Sequence, residues 1–214
     1  MLKVALTFDD GDKRHYQVAK VLYRIDIPAT FYCITNLKEF EGRPLLVDDH
    51  EKLRAIKDMH HEIASHTCTH VNLTCVNRSR MLYEIIESKR VLENILKDDI
   101  EGIAYPYGAF NMEVVNAVRE HYIYARGTSI CGADPWNLTV NSMYSIGALT
   151  PKHTLKLLRS KRLRKEVKFL VIYTHSVNLF KLMTLLSYLK MLFSDLKFLT
   201  LREIAKDLRG HNTK

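Results

Sequence analysis

From one end of the chain to the other, short β-rich apolar runs alternate with segments of helical period, and this alternation constrains the fold more than any other feature. Residues 4–8, 29–34, 62–66, 102–105, 123–125, 169–174 and 197–200 read as strands, and 15–24, 51–58, 79–96, 112–120, 151–160, 180–193 and 201–208 as helices. In 79–96 the helical period is plain, because Met81, Leu82, Ile85, Ile86, Leu92, Ile95 and Leu96 fall on one face. Strands joined through helices pair in parallel, so the expected class is α/β. Units of this size either close into a barrel or stay open as a doubly wound sheet, and periodicity does not choose between them. Both architectures put their chemistry at the carboxyl ends of strands.

With 214 residues and no glycine- or proline-rich linker, the chain reads as one domain, 1–214. A composition 47% hydrophobic and 26% charged excludes a disordered or collagen-like chain. Cysteines 33, 68, 75 and 131 form no C-x-x-C pair and read as free thiols in a reducing compartment. Met1-Leu2-Lys3 leads straight into an apolar strand with no export signal, and the longest uncharged apolar run, 169–180, is too short to span a bilayer. A cytoplasmic location is the expectation. The charge is uneven: residues 151–214 hold 15 Lys and Arg against 4 Asp and Glu, a local +11 within an overall +8. This basic last third, densest from Arg159 to Lys165, suits an anionic surface, an acidic glycan or a lipid-linked glycan, with the protein peripheral at a membrane. No nucleic-acid-binding motif accompanies it.

Polar residues gather where the strands end. The first strand runs into Asp9-Asp10-Gly11, and adjacent carboxylates repel one another and gain nothing from the sheet they terminate. The third runs into His66-Thr67-Cys68-Thr69-His70, two imidazoles able to meet one cation and, with a single carboxylate, to supply the three protein ligands of an open zinc site. His61-Glu62 followed by His66 mimics a zinc-protease motif, but its spacing is five where a helix needs four, on a segment that reads as strand. In Tyr105-Pro106-Tyr107-Gly108 a proline and a glycine force an exposed turn that turns the Tyr107 N–H into a fixed donor. Further on lie Asp134-Pro135-Trp136 and, after the strand at 169–174, His175.

Taken together, these segments resemble the polysaccharide deacetylase family, the NodB-homology or chitin-deacetylase-like carbohydrate esterases, over nearly the whole chain. Thr7-Phe8-Asp9-Asp10-Gly11 matches the family's first motif and His66-Thr67-Cys68-Thr69-His70 its second; Tyr105-Pro106-Tyr107-Gly108 resembles the third, Trp136 the fourth, and His175 the histidine of the fifth. The resemblance implies a distorted (β/α) barrel of about seven parallel strands. It implies one divalent metal ion, zinc first and cobalt or nickel next, held by Asp10, His66 and His70. It also implies metal-activated water attacking an N-acetyl or O-acetyl group of a sugar or polysaccharide, with Asp9 as general base, His175 as general acid and the Tyr107 N–H in the oxyanion hole. Trp136, Pro106 and Tyr105 would line the substrate, and Asp134 would orient His175.

One departure stands out. Many family members carry an arginine where this chain has Ala104, pairing it with the base carboxylate; its loss should leave Asp9 without a cationic neighbour and raise its pKa. Two other functions follow from that and from the first motif: a catalytically impaired sugar-binding relative, and, more remotely, an aspartyl-phosphate phosphatase using Asp10 as nucleophile and Asp12 as acid.

Overall fold

The computed structural model describes residues 1–128, 146–160 and 167–211. In chain order its strands are β1 (Leu2–Phe8), β2 (Thr30–Cys33), β3 (Glu39–Phe40), β4 (Arg43–Pro44), β5 (Glu62–Ser65), β6 (Gly102–Ala104), β7 (Tyr124–Arg126), β8 (Phe169–Thr174) and β9 (Leu196–Phe198). Seven of these form one parallel sheet in the order β7-β6-β5-β2-β1-β8, with β9 added on β1. β8 takes one whole edge of β1, whereas the other edge is shared: β9 pairs at residues 2–4 and β2 at residues 7–8. Ile146 then bridges Arg126 at the end of β7 and Leu149 bridges Ile172 in β8. The sheet therefore curls into the distorted barrel and is not left open.

The helices are α1 (His15–Arg24), α2 (His50–Asp58), α3 (Arg78–Leu96), α4 (Met112–Arg119), α5 (Pro151–Leu158), α6 (Leu179–Leu192) and α7 (Leu201–His211). Five begin on a side-chain cap: Asp49, Asn77, Asn111, Thr150 and Asn178 each accept an N–H from the third residue onward. Every strand and helix expected from periodicity is present, within a few residues at its ends. The hairpin β3–β4 was not expected, because two-residue strands are too short to carry an alternation.

Period-two alternation divides the strand side chains between two apolar clusters. Leu6, Phe8, Phe31, Ile63, Ile103 and Ile172 face outward beneath the helices. Ala5, Tyr32, Ala64, Ala104, Tyr124 and Val171 face into the barrel, whose foot is closed by Leu201 and Ile204 of α7. At that foot the buried Glu62 carboxylate accepts from Thr30 Oγ1 at 2.7 Å, Tyr124 Oη at 2.8 Å and the Arg202 N–H at 3.0 Å. The last donor belongs to the first turn of α7, where a negative charge suits the helix dipole.

Burial nevertheless pushes the Glu62 pKa above the ordinary carboxylate value, against the pull of these hydrogen bonds. A folded pKa above the unfolded one means that the contribution of Glu62 to stability is complete below the unfolded value and is lost as pH rises through the folded value. Glu62→Gln, which keeps the volume and cannot ionise, should therefore gain melting temperature relative to wild type as pH is raised from about 4 to about 8. Melting curves that stay parallel across that range would show Glu62 to be unperturbed.

Candidate active site

The inward faces of the strands end at one mouth, and many of the residues there are ones the sequence singled out. Asp9 and Asp10 follow β1, His66 follows β5 and His175 follows β8, and all four line a cleft of about 470 Å³ with His70, Tyr105, Tyr107 and Arg126. Asp10 turns out of β1 with φ 71°, Thr67 and His70 adopt φ 67° and 58°, and Tyr107 φ 59°. Four non-glycine residues in the left-handed region around one cleft store strain of about 1–3 kcal/mol each, which the surrounding packing must hold. Glu84 of α3 supplies much of that hold. Its buried carboxylate accepts from the N–H groups of Cys68 and Thr69 at 2.7 and 2.9 Å and from Thr69 Oγ1 at 2.6 Å, clamping the loop between the two histidines.

Asp10, His66 and His70 each bring one ligand atom within 4.8 Å of the others. His66 Nδ1 lies 2.9 Å from the Ala104 carbonyl oxygen, so Nδ1 carries the proton and Nε2 presents its lone pair inward. Burial pushes the His66 pKa down to about 3 and holds that of His70 below its usual value. Both rings are therefore neutral, and the contacts from Asp10 Oδ1 to His66 Nε2 (3.7 Å) and His70 Nε2 (3.6 Å) are too long to be hydrogen bonds. Asp10 Oδ1 is buried with no hydrogen-bond partner, and burial pushes its carboxyl pKa up. Two acceptors converging on one point, His66 Nε2 and the unpartnered Asp10 Oδ1, with a neutral imidazole of His70 beside them, fit a bound cation. The other oxygen, Oδ2, accepts from Arg43 Nη2 of the hairpin at 3.0 Å.

Asp9 differs from the expectation built on Ala104. It does have a cationic partner: Arg126, at the end of β7, donates from Nη2 to Asp9 Oδ1 at 2.6 Å. Burial alone would raise the Asp9 pKa, but the Arg126 guanidinium beside it outweighs burial and holds the carboxyl below the ordinary value. The reason is geometric, since a residue of β7 reaches the same interior as one of β6. Arg126 was missed because the strand was read as ending at Ala125; continuing the alternation from Tyr124 would have turned Arg126 inward.

His175 is 50% exposed, with Nε2 3.9 Å from both Asp9 Oδ2 and Asp10 Oδ2. The Tyr107 ring stands 4.7 Å from that of His70, and Phe40 of the hairpin 4.6 Å from it on centroid distances. Tyr105 is buried in the cleft wall, whereas Pro106 is buried within the turn and is not part of that wall. Trp136 and Asp134 lie outside the described residues. Asp12, the acid of the phosphatase reading, is buried away from the cleft and held by Arg14 through Nε and Nη2. His61 is a structural histidine, accepting the Ala29 N–H at Nδ1 and meeting the Ala19 carbonyl at Nε2. Cys68 is a buried free thiol.

A family model described as polysaccharide deacetylase matches residues 2–125. A chitooligosaccharide deacetylase of Rhizobium leguminosarum bv. phaseoli is 34% identical over 119 residues, 52% of this chain and 47% of that protein. The chain spans about half the length of the curated relatives it matches. Among solved structures, the Xyl-CE4 domain of a multidomain xylanase from the hindgut metagenome of Trinervitermes trinervoides superimposes with TM-score 0.67 at 18% identity, over 98% of this chain and 91% of that one. A CE4 family pseudoenzyme from Bacillus anthracis gives 0.64 at 16% identity, over 96% and 65%. At these identities the two structures speak to the fold alone.

The turn that carries Tyr107 depends on Gly108. With φ +68°, a Cβ there would lie 2.1 Å from Thr128 Oγ1 and 2.9 Å from the Thr128 backbone nitrogen. Gly42 has nearly the same φ, +72°, with nothing within 4 Å. Gly42→Ala should cost about 1 kcal/mol of backbone strain, and Gly108→Ala about 2 kcal/mol more. Equal losses in urea denaturation would mean that the close approach to Thr128 is easily relieved.

Proposed function

The chain belongs to the polysaccharide deacetylase family, and on that premise we propose that it is a metal-dependent hydrolase removing N-acetyl or O-acetyl groups from an acetylated sugar or polysaccharide. The observation that carries this reading is the set of converging acceptors on Asp10, His66 and His70, set beside a second carboxylate and an exposed histidine. Those three residues would hold one divalent ion, zinc first and cobalt or nickel next. Bound there, it would supply Lewis-acid polarisation of an acyl oxygen and a lowered pKa for the attacking water.

The remaining steps fall to the chain's own groups. Arg126 occupies Asp9 Oδ1, which leaves Oδ2 to accept the proton of the attacking water. The Tyr107 N–H is assigned to the oxygen on which negative charge develops. His175 Nε2 then protonates the departing nitrogen as the C–N bond breaks, so that the water oxygen leaves in acetate and the sugar leaves as an amine. Tyr105 and Trp136 are assigned to the substrate wall and Asp134 to the orientation of His175. The impaired-relative reading rested on an unpartnered Asp9; with Arg126 in place, the active reading is favoured.

An anionic partner is part of the proposal. α5 and α6 contain no Asp or Glu, and between them lies a groove of about 940 Å³ bordered by Lys152, Lys156, Arg159 and Lys181, with Leu155 and Phe180 exposed beside it. Of the basic run 159–165, residues 161–165 lie outside the described part. An anionic bilayer surface suits such a face, because basic side chains meet headgroups while the apolar ones enter the interface. No helix among the described residues is long and apolar enough to cross a membrane.

Acetate release from N-acetylated chito-oligosaccharides and from acetylated xylan tests the activity; its absence with zinc, cobalt and nickel alike would end the deacetylase reading. Metal binding is tested separately by melting. Zinc at about 100 times its Kd should stabilise wild type by about 2.7 kcal/mol. Asp10→Ala should abolish that gain together with activity. Asp9→Asn should keep it while kcat falls roughly a hundredfold, and His175→Ala should behave like Asp9→Asn. For the surface, flotation should recover more protein with anionic than with neutral vesicles at low salt, and the difference should fade as salt is raised. Equal recovery would remove the anionic partner.

A further inference from the structure

We infer that Arg126 is the positioning residue for Asp9, acting from β7 at the register position where β6 carries Ala104, and that a string of buried polar groups beneath it fixes its own place. The inference rests on the deacetylase reading of the cleft, in which Asp9 must present one chosen oxygen.

Register provides the first argument. Ala104 and Arg126 are direct partners across the parallel β6–β7 pair, as are Gly102 and Tyr124 one step below. Partnered residues on neighbouring parallel strands project from the same face, their roots about 4.8 Å apart. An arginine side chain spans that distance easily, so moving its root by one strand leaves its head group within reach of the same carboxylate.

Side-chain volume provides the second. A Cβ at Gly102 would lie 2.1 Å from Cζ of Tyr124, so the lower inward position of β6 is kept empty by a large residue of β7. Ala104 beside Arg126 repeats the pairing one layer higher. Small residues inward on β6 and large ones inward on β7 amount to one packing solution, with the guanidinium on β7 and the small residue facing it on β6.

Confinement provides the third. Arg126 is 1% exposed, and its Cζ lies 4.9 Å from the Tyr32 ring centroid and 5.3 Å from that of Tyr173. A planar cation between two rings keeps its plane. Tyr32 is in turn tied by its hydroxyl to Tyr124 Oη at 3.3 Å, and Tyr124 donates to Glu62 at 2.8 Å. The string thus runs from the foot of the barrel to the reacting carboxylate. Arg126 acts through Asp9 by occupying Oδ1 at 2.6 Å and leaving Oδ2 toward His175.

The experiment compares wild type, Arg126→Ala, Arg126→Gln and the double variant Ala104→Arg/Arg126→Ala. Arg126→Ala should lower kcat at least tenfold while KM and zinc content stay within twofold of wild type, and the double variant should recover most of the loss. Arg126→Gln, which keeps bulk without charge, should resemble Arg126→Ala in kcat and serves if the alanine variant does not fold. Melting supplies a readout independent of turnover. Stranding Asp9 without its partner should lower the melting temperature by roughly 5–10 °C, and either Ala104→Arg or Asp9→Asn in the Arg126→Ala or Arg126→Gln background should restore much of it. A wild type that releases no acetate but shows this melting pattern refutes the deacetylase reading alone. Wild-type kcat in a folded Arg126 variant, or a folded double variant no better than the single one in both kcat and melting, overturns the inference.

Discussion

Everything at the mouth of this barrel depends on how its narrow interior is filled. A curled parallel sheet must pack its inner face against itself, and here Ala5, Ala64 and Ala104 leave the room that Tyr32, Tyr124 and Arg126 take up. Putting a guanidinium among these side chains strands a cation in a poor solvent for charge unless a carboxylate meets it. The Arg126–Asp9 pair is that meeting, with both side chains almost wholly buried. Removing one partner of such a pair costs about 3–5 kcal/mol, because the other is left charged and unsolvated. Structure and chemistry therefore share one contact: the ion pair that makes the interior tolerable also orients the carboxylate that faces the cleft.

A second constraint is strain. Asp10, Thr67, His70 and Tyr107 adopt positive φ, and no local propensity asks for this at threonine or tyrosine. Glu84 clamps the histidine loop from α3, and Gly108 makes the close approach to Thr128 that the Tyr107 turn requires. These conformations bring side chains from distant stretches to one point, and they persist because the barrel around them is rigid.

Much of this was legible in the sequence. Alternating strands and helices reflect burial of one stripe or face per element, and that burial decided where the elements lie, so every long element appeared where its period placed it. Asp9, Asp10, His66, His70 and His175 were legible because polar residues at strand ends have no packing reason to be there. What the sequence concealed arises between strands. The hairpin bearing Phe40 and Arg43 is too short to have a period. Arg126 looked like the first residue of a loop, and its importance appears only when β7 is set beside β6 and Gly102 and Ala104 are seen to be small opposite large neighbours. The pKa expected from Ala104 failed for the same reason, for it treated one strand as if its neighbour could not supply the charge.

The division of labour proposed for Asp9 and Asp10 follows from the same logic. As adjacent carboxylates on one strand end they are chemically alike, and nothing in their sequence tells ligand from base. Two arginines from different elements distinguish them by the carboxylate each one meets. Arg126 comes from inside the barrel and takes Asp9 Oδ1, leaving Oδ2 facing His175. Arg43 comes from the hairpin above and takes Asp10 Oδ2, leaving Oδ1 facing the two imidazoles. Each carboxylate thus keeps one free oxygen, and the two free oxygens point at different partners. Since each guanidinium also offsets part of the repulsion between the neighbouring charges, the contacts that assign the roles are the ones that let both carboxylates be present at all.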